Sequence, residues 1–372
     1  MLVKRDTGVY WFLTDVYLRP HAKMTAGKIP GATLSKQNLT INDIARLAGV
    51  SKKSVSRVIN NERGVSESTR ERIKAIMAQA GYQPDRRARA LASQRSFLIG
   101  LAYNNRNPSY ILEMLAGSQK AANAQGYEVV MHQMTEGEDA ADEVNQFMRR
   151  SACDALIITP PLSESATLIA ELAKQPWPLV RVAGDYADFN APQIRYNDRT
   201  ATLSLTHALI QQGHQRIAFL GGPQTAGPTI RRLSGVRDAL ALHNLELPDS
   251  LVRYGDFTFE SGARFGAEFL SAAQPPSAIM CANDEMAAGV YRSAAAAGLV
   301  IPRDLSVTGF DDSPVASHLY PALTSVRQPI QEMMALAVEI LTAQARTDKH
   351  GVALFDATVV ARDSTDTPRP NS

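Results

Sequence analysis

The 372-residue chain holds two cysteines, Cys153 and Cys281, too few for a disulfide framework or a zinc site. Both sit in apolar, strand-like runs, which reads as buried thiols in a reducing cytoplasm. No apolar run approaches the roughly 20 residues that span a bilayer. The nearest, residues 9–18, is broken by Asp15 and leads to no convincing cleavage site. Enzyme signatures are also missing. Gly100 is followed by Leu-Ala-Tyr, so no GxGxxG follows the first strand-like run, and there is no Walker loop and no GxSxG elbow. His207 and His214, seven apart at a helix boundary, make a poor metal pair. Gly221-Gly222-Pro223 is explained more simply by a tight strand-to-helix exit than by a phosphate turn. Asp311-Asp312 are adjacent in a loop, point different ways and have no second charged cluster beside them, so they make a poor acid–base pair. No catalytic residue, metal or cofactor is expected.

What is present is an ordinary globular composition, 45% hydrophobic and 20% charged, with length for two or three domains. The net charge of +2 hides a strong asymmetry. Residues 39–96 carry 12 Lys/Arg against 5 Asp/Glu, and residues 1–38 carry 6 against 2. The remaining 276 residues carry 21 against 30. A small module suited to a polyanion is attached to a body that is not.

Within the basic part, residues 39–60 read as two short helices. Ile41, Ile44, Ala45, Leu47 and Ala48 follow helical spacing, and Val55, Val58 and Ile59 repeat it. Gly49-Val50-Ser51 leaves room only for a tight turn. Thr40 and Asp43 form a capping box, and Ser51 is a good cap for the second helix. This is a helix-turn-helix. Lys52, Lys53, Ser54, Ser56, Arg57 and Asn60 lie on the faces that the apolar residues leave, as donors and acceptors for phosphates and base edges. The blander alternative is a helical hairpin with a solvated basic face. A third helix is expected from about Ser66 to Ala80, capped by Gly81, with Ile73, Ile76 and Met77 closing a core against Leu47, Val55 and Val58.

These residues carry a resemblance. Ile44-Ala45, Ala48 to Ser51, Val55 to Asn60, Val65-Ser66, Thr69-Arg70, Ile73, Gly81-Tyr82, Pro84 and Arg89 to Ala92 match the amino-terminal signature of the LacI/GalR family of bacterial transcription regulators. The similarity runs to about Thr365. In that family the helix-turn-helix lies within a few residues of the start, so Met24 is a candidate initiator; the other reading of residues 1–23 is a flexible basic arm. The segment from Pro84 to Ser93 resembles the family's hinge, which forms a short helix on DNA. The resemblance implies that Arg86 contacts phosphate, that small residues such as Ala88 let two copies pack, and that Leu91 wedges into a minor-groove step. Lys52-Lys53-Ser54 departs from commoner members, so the base preference cannot be borrowed.

From residue 97 the texture alternates. Apolar runs at 97–103, 127–132, 155–159 and 179–183 form one strand series, and 216–221, 251–254, 278–282 and 305–310 form a second. Helical segments at 111–125, 200–212, 230–243 and 285–297 separate them. Continuous apolar strands between helices predict two doubly wound parallel sheets, with a ligand cleft beyond the strands' carboxyl ends. Tyr110, Asp185, Arg232, Phe257, Asn283, Asp311 and Gln328 fall just past those ends. As carboxylates, amides, an Arg fork and aromatic faces they suit a polyhydroxylated ligand. Asn283 and Asp311 serve equally as helix caps, and Tyr110 and Phe257 as core. The resemblance matches all of them to effector contacts except Asp185, where Ala183 aligns as well.

The expected fold class is therefore an α-helical DNA-binding head and a two-lobed α/β core like that of periplasmic binding proteins. The expected boundaries are an extension at 1–38, the head at 39–84, a hinge at 85–96, the core at 97–365 and a tail at 366–372. The core divides into a first lobe of about 97–196 plus 329–354 and a second of about 197–328 plus 355–365. The expected function is a cytoplasmic, ligand-responsive repressor. It would bind a palindromic operator as a homodimer, through a surface including residues 111–125, under control of a sugar, sugar derivative or nucleoside. The alternatives are a solute-binding receptor and a sugar or nucleotide enzyme.

Overall fold

The computed structural model describes residues 39–59, 63–82, 93, 95–105, 107–135, 139–183, 191–343 and 351–369. The chain divides into two compact units, residues 1–85 and 86–372. The expectations for residues 1–38, Asn60, Arg86, Ala88, Leu91 and Asp185 lie outside the described residues.

In the first unit, α1 (Ile41–Ala48) opens at Thr40, whose backbone N–H and hydroxyl donate to the Asp43 carboxylate at 3.0 and 2.7 Å. It closes at Gly49, held at φ +60°, where a side chain would be strained. In α2 (Lys52–Ile59) the first turn is capped by Ser51 Oγ, which accepts from Ser54 N at 3.1 Å. α3 (Glu67–Gln79) begins at Ser66 and is capped by Ala80, with the left-handed Gly81 one residue later than expected. Ile44, Ala45, Ala48, Val55, Val58 and Ile73 close a small core, with Ile76 and Met77 half-buried against it. Leu47 does not join it and is 56% exposed. At 3.6 residues per turn it sits roughly 100° round α1 from the stripe of Ile41, Ile44, Ala45 and Ala48.

The second unit has two lobes. The first sheet contains β1 (Leu98–Tyr103), β2 (Glu128–Gln133), β3 (Ala155–Ile158), β4 (Leu179–Val182), β5 (Gln193–Tyr196) and β11 (Val352–Phe355). Its order is β11-β5-β4-β3-β1-β2, and its pairings are parallel. Alternate residues face opposite sides, and both sides are apolar. Ile99, Leu101, Ile157 and Val180 pack with Met114 of α4 (Pro108–Ala124) and Met333 of α12 (Ile330–Leu341). Ala102, Leu156 and Ile158 pack with Phe147 of α5 (Ala140–Ser151) and Leu168 of α6 (Ala166–Leu172). Burial on both faces is what the continuous apolar runs predict.

The second sheet is also parallel, in the order β7-β6-β8-β9, from β6 (Ile217–Gly221), β7 (Val252–Tyr254), β8 (Ala278–Cys281) and β9 (Ser306–Thr308). Helices α7 (Asp198–Gln211) and α8 (Gly227–Leu242) pack together, as do α9 (Phe259–Leu270) and α10 (Asp284–Ala296). The short α11 (Pro314–His318) follows β9. The chain crosses between lobes at 196–198, 327–330 and 355–358; next to these crossings β10 (Ser325–Arg327) and β12 (Thr358–Val360) pair antiparallel. Strands β5, β10, β11 and β12 were not among the expected runs, and β11 and β12 are only half-buried. Cys153 and Cys281 are buried free thiols, and burial pushes Cys153 up to about 11. No described helix is long and apolar enough to cross a membrane.

The carboxyl-terminal segment is bound to the second lobe. His214 is buried, with Nδ1 2.8 Å from Ser277 Oγ and Nε2 2.9 Å from the Asp366 carbonyl. Burial holds its pKa below the ordinary 6.5, outweighing the pull of Asp366. The unfolded chain therefore binds the proton first as pH falls, and stability drops as pH moves below about 6.5. The melting temperature of the His214→Gln variant should depend less steeply on pH between 7 and 5 than that of the parent; parallel profiles would exclude His214 as the cause. In the first unit, Ile73→Ala should cost ~2–5 kcal/mol, enough to unfold so small a core. Amide exchange in α1–α3 of the full chain should then become unprotected while β1–β4 stay protected.

Candidate functional site

Two constellations stand out, one in each unit. In the first, Lys52 and Lys53 are exposed at the start of α2 and form no ion pair with a described carboxylate. Ser54 and Ser56 are half-buried, and the Ser54 hydroxyl lies 3.0 Å from Ser51 Oγ, so part of its hydrogen-bonding is spent on the cap. The half-buried Arg57 lays its guanidinium beside Gly64, where an added Cβ would stand 3.2 Å from Nη1.

In the second unit a cleft forms beyond the carboxyl ends of both sheets. Asn107 caps α4, its Oδ1 accepting from Ser109 N at 3.0 Å, and so sets Tyr110 on the first turn. The same Asn107 reaches across to the other lobe, where Nδ2 donates to Asp311 Oδ2 at 3.2 Å. Gln328 Nε2 donates to the other oxygen of that carboxylate. Asp311 is thus no helix cap; Ser313 holds that position for α11. Burial raises the Asp311 carboxyl well above the carboxylate range, against the pull of the Arg232 guanidinium.

Arg232, on α8, is 4% exposed. Its Nη2 donates to the Tyr196 hydroxyl at 3.0 Å, its Nη1 donates to the Ala282 carbonyl, and its Cζ stands 3.5 Å over the Phe310 ring. A desolvated cation–π contact of this kind is worth about 2 kcal/mol. Burial pushes the Tyr196 phenol up to about 12. Phe257 has φ +65° and lies flat on Gly222, where a Cβ would meet its Cζ at 2.1 Å. Asn283 secures that backbone: its Nδ2 donates to the Phe257 carbonyl at 2.9 Å while its Oδ1 caps α10 by accepting from Met286 N. Both polar ends of Asn283 are therefore engaged within the protein.

Sequence reasoning missed Asn107, Tyr196 and Phe310 as members of this group, and it misjudged Asp312. That residue has charged neighbours after all. It is buried between Arg327, Nε at 2.7 Å, and Arg362, Nη2 at 2.5 Å. This fork pins a turn in which Asp311 and Asp312 have φ of 113° and 53°, conformations that L-residues adopt only when surroundings hold them.

Several buried side-chain atoms here have no partner in the protein, among them Ser163 Oγ, Thr229 Oγ1, Arg232 Nε and Gln328 Oε1. A buried polar atom left unpaired costs about 1–3 kcal/mol, so a cluster of them marks a place reserved for a polar ligand. Next to Ser163, Glu164 accepts from Gly227 N at 3.2 Å, joining the first lobe to the start of α8. The shallow depression between α9 and α10, lined by Ala263, Ala267 and Ala297, has no such atom and fails the same test.

Comparison with known proteins agrees with this division. Residues 40–85 match the model of bacterial regulatory proteins of the lacI family, and residues 206–365 match that of a periplasmic binding protein-like domain. Catabolite control protein A of Priestia megaterium is 31% identical over 82% of this chain and 92% of its own. The ribose operon repressor of Escherichia coli (strain K12) is 32% identical over 81% of this chain and 92% of its own. Among solved structures, the lac repressor dimer bound to operator and the anti-inducer ONPF has a TM-score of 0.69 at 29% identity, covering 89% of this chain and 100% of that one. The transcriptional regulator CelR–cellobiose complex has a TM-score of 0.65 at 28% identity, covering 88% and 99%. These relatives are transcription repressors and not enzymes, and this chain belongs to the lacI family of bacterial regulatory proteins.

Proposed function

We propose that the chain is a repressor that binds operator DNA as a homodimer. A sugar or related polyhydroxylated molecule in the interlobe cleft, with a nucleoside as the nearest alternative, would set its affinity for that DNA. The observation that carries this reading is the cluster of unpaired buried polar atoms on the cleft walls, beside Asp311, Arg232 and the faces of Tyr110, Phe257 and Phe310. Neighbouring hydroxyls need such acceptors and forked donors, and the apolar face of a ring needs an aromatic wall. The printed names of a ribose operon repressor and a CelR–cellobiose complex lean the same way.

Under this reading Tyr110, Arg232, Phe257, Asp311 and Gln328 contact the effector, Asn283 holds Phe257 in place, and Asp185 stands as an eighth-rank candidate after Asn107 and Tyr196. Lys52, Lys53, Ser54, Ser56, Arg57 and Asn60 face DNA. Arg86, Ala88 and Leu91 belong to a hinge at 85–96 that grips the minor groove only while two copies are held together. Ligand changes the lobe geometry and through it the hinge, a coupling between two sites that works in either sign.

A thermal-shift screen against pentoses, hexoses, disaccharides and nucleosides tests the cleft, because a ligand of the folded state raises the melting temperature. Asp311→Ala should abolish the shift given by the best hit while operator binding in its absence is kept; an unchanged shift removes Asp311 from the site. Replacing Lys52 and Lys53 with Ala should weaken binding to any duplex and reduce the salt slope of log K by about 2, one per phosphate contact. A slope change near zero places neither lysine on the backbone. Leu91→Ala should weaken specific operator binding more than non-specific binding, and equal losses on both DNAs would exclude a wedge.

A further inference from the structure

The two histidines that the sequence sets seven apart do not meet. His214 is buried beneath the carboxyl-terminal segment, and His207 faces His243 instead, with Nδ1 2.8 Å from His243 Nε2. We propose that His207 and His243 form a binding site for a divalent transition-metal ion, which bridges the carboxyl-terminal ends of α7 and α8.

The packing of the helices places the pair. α7 and α8 run side by side in the same direction: Arg231 binds Asp198 at their starts, and His207 meets His243 at their ends. Gly235 lets the backbones touch, since a Cβ there would stand 2.4 Å from the Arg199 carbonyl. The two imidazoles are therefore delivered by a rigid contact. His207 lies on the last turns of α7, and His243 is the cap residue of α8. Both sit where unpaired carbonyls accumulate and where each helix dipole places about half a negative charge. Two parallel helices ending together double that field, and a cation is its natural counter-charge.

The distances fit. On a tetrahedral ion with Zn–N near 2.05 Å, two nitrogens stand about 3.3 Å apart. The present 2.8 Å separation needs to open by only ~0.5 Å, a small rotamer adjustment for side chains at helix ends. Imidazole nitrogens suit Zn²⁺, Cu²⁺ and Ni²⁺. The proton balance is also provided for. Gln211 Nε2 lies 2.8 Å from His207 Nε2. With the amide nitrogen donating there, His207 carries its proton on Nδ1 and gives it to His243 Nε2. When the ion takes the Nδ1 lone pair, that proton moves to Nε2 and is accepted by Gln211 Oε1 after a half-turn of the amide. No net proton is released, and the ligand is fixed by an outer hydrogen bond. Among the described residues no three His, Cys, Asp or Glu gather at one point, so water fills the other positions.

This site is independent of the cleft. The cleft lies at the start of α8, and the 16 residues of that helix put about 24 Å between the two.

Full-length protein stripped with EDTA is titrated with ZnCl₂ by calorimetry, and the melting temperature is followed in parallel. One equivalent should bind, the melting temperature should rise, and EDTA should reverse it. In either His207→Ala or His243→Ala the affinity should fall at least about tenfold, while the metal-free melting temperature stays that of the parent. Cu²⁺ titration should give a visible d–d band that both variants lose. If a variant is less stable without metal, His243→Gln, which keeps the bulk and an acceptor, replaces it. Absence of saturable Zn²⁺ binding overturns the proposal, and so does binding that survives in both variants, which would place the ion elsewhere. Neither outcome alters the effector screen.

Discussion

The contact on which the second unit turns is the one between Asn107 and Asp311. One residue belongs to the amino-terminal cap of the first lobe's α4, the other to the turn after the second lobe's β9, and 204 residues of chain separate them. The amide of Asn107 meets a carboxyl that is raised by burial and also held by Gln328, which lies on one of the crossings between lobes. A single side chain therefore senses both lobes and the connection between them. Behind it, Asp312 is locked by Arg327 of β10 and by Arg362 just after β12. The turn can hold two left-handed residues in succession because this fork leaves it no cheaper conformation.

That arrangement explains why the site is both polar and dry. Arg232 is neutralised by no carboxylate in direct contact; it rests on the face of Phe310 and shares its protons with a phenol and a main-chain carbonyl. Its Nε and the nearby Thr229, Ser163 and Gln328 oxygens have no protein partner. Polar groups left so are tolerated only where something else completes them. Rigid packing keeps them from collapsing onto each other: Phe257 is stacked on Gly222 and tied by Asn283, whose two ends are both used for this purpose.

Much of this was legible in the sequence wherever the determinant was local. The Thr40–Asp43 box, the Gly49 turn and the Ser66 start depend on residues three apart, and the continuous apolar runs of β1, β3, β4, β6 and β8 declare burial on both faces. The failures have physical reasons. Leu47 obeys helical spacing with one neighbour but lies off the stripe that defines the buried face. β11 and β12 are short and half-exposed, so neither gives a continuous apolar run. Tyr196, Phe310 and Asn107 acquire their roles only through partners that the fold brings from 36 to 204 positions away. Asp312 looked solitary because its cations stand 15 and 50 residues downstream. Asn283 was legible as a helix cap and as a site residue at once. The structure keeps the first role and converts the second into support for Phe257.

The same geometry limits how a ligand can act. A molecule shifts a two-state equilibrium only by as much as it binds one state better than the other. The links that join the lobes near the cleft are few and specific: Asn107 to Asp311, and Glu164 to Gly227 and Arg231. A ligand that replaced Asn107 on Asp311, or took Glu164 away from the start of α8, would change these links directly. A ligand that merely filled space against Phe257 would not. The movement would then pass to the crossings through the Arg327–Asp312–Arg362 fork, because that fork ties the floor of the cleft to the paired strands β10 and β12. Under the proposed function, therefore, affinity and response are separable properties, the aromatic walls setting chiefly the first and the interlobe polar links the second.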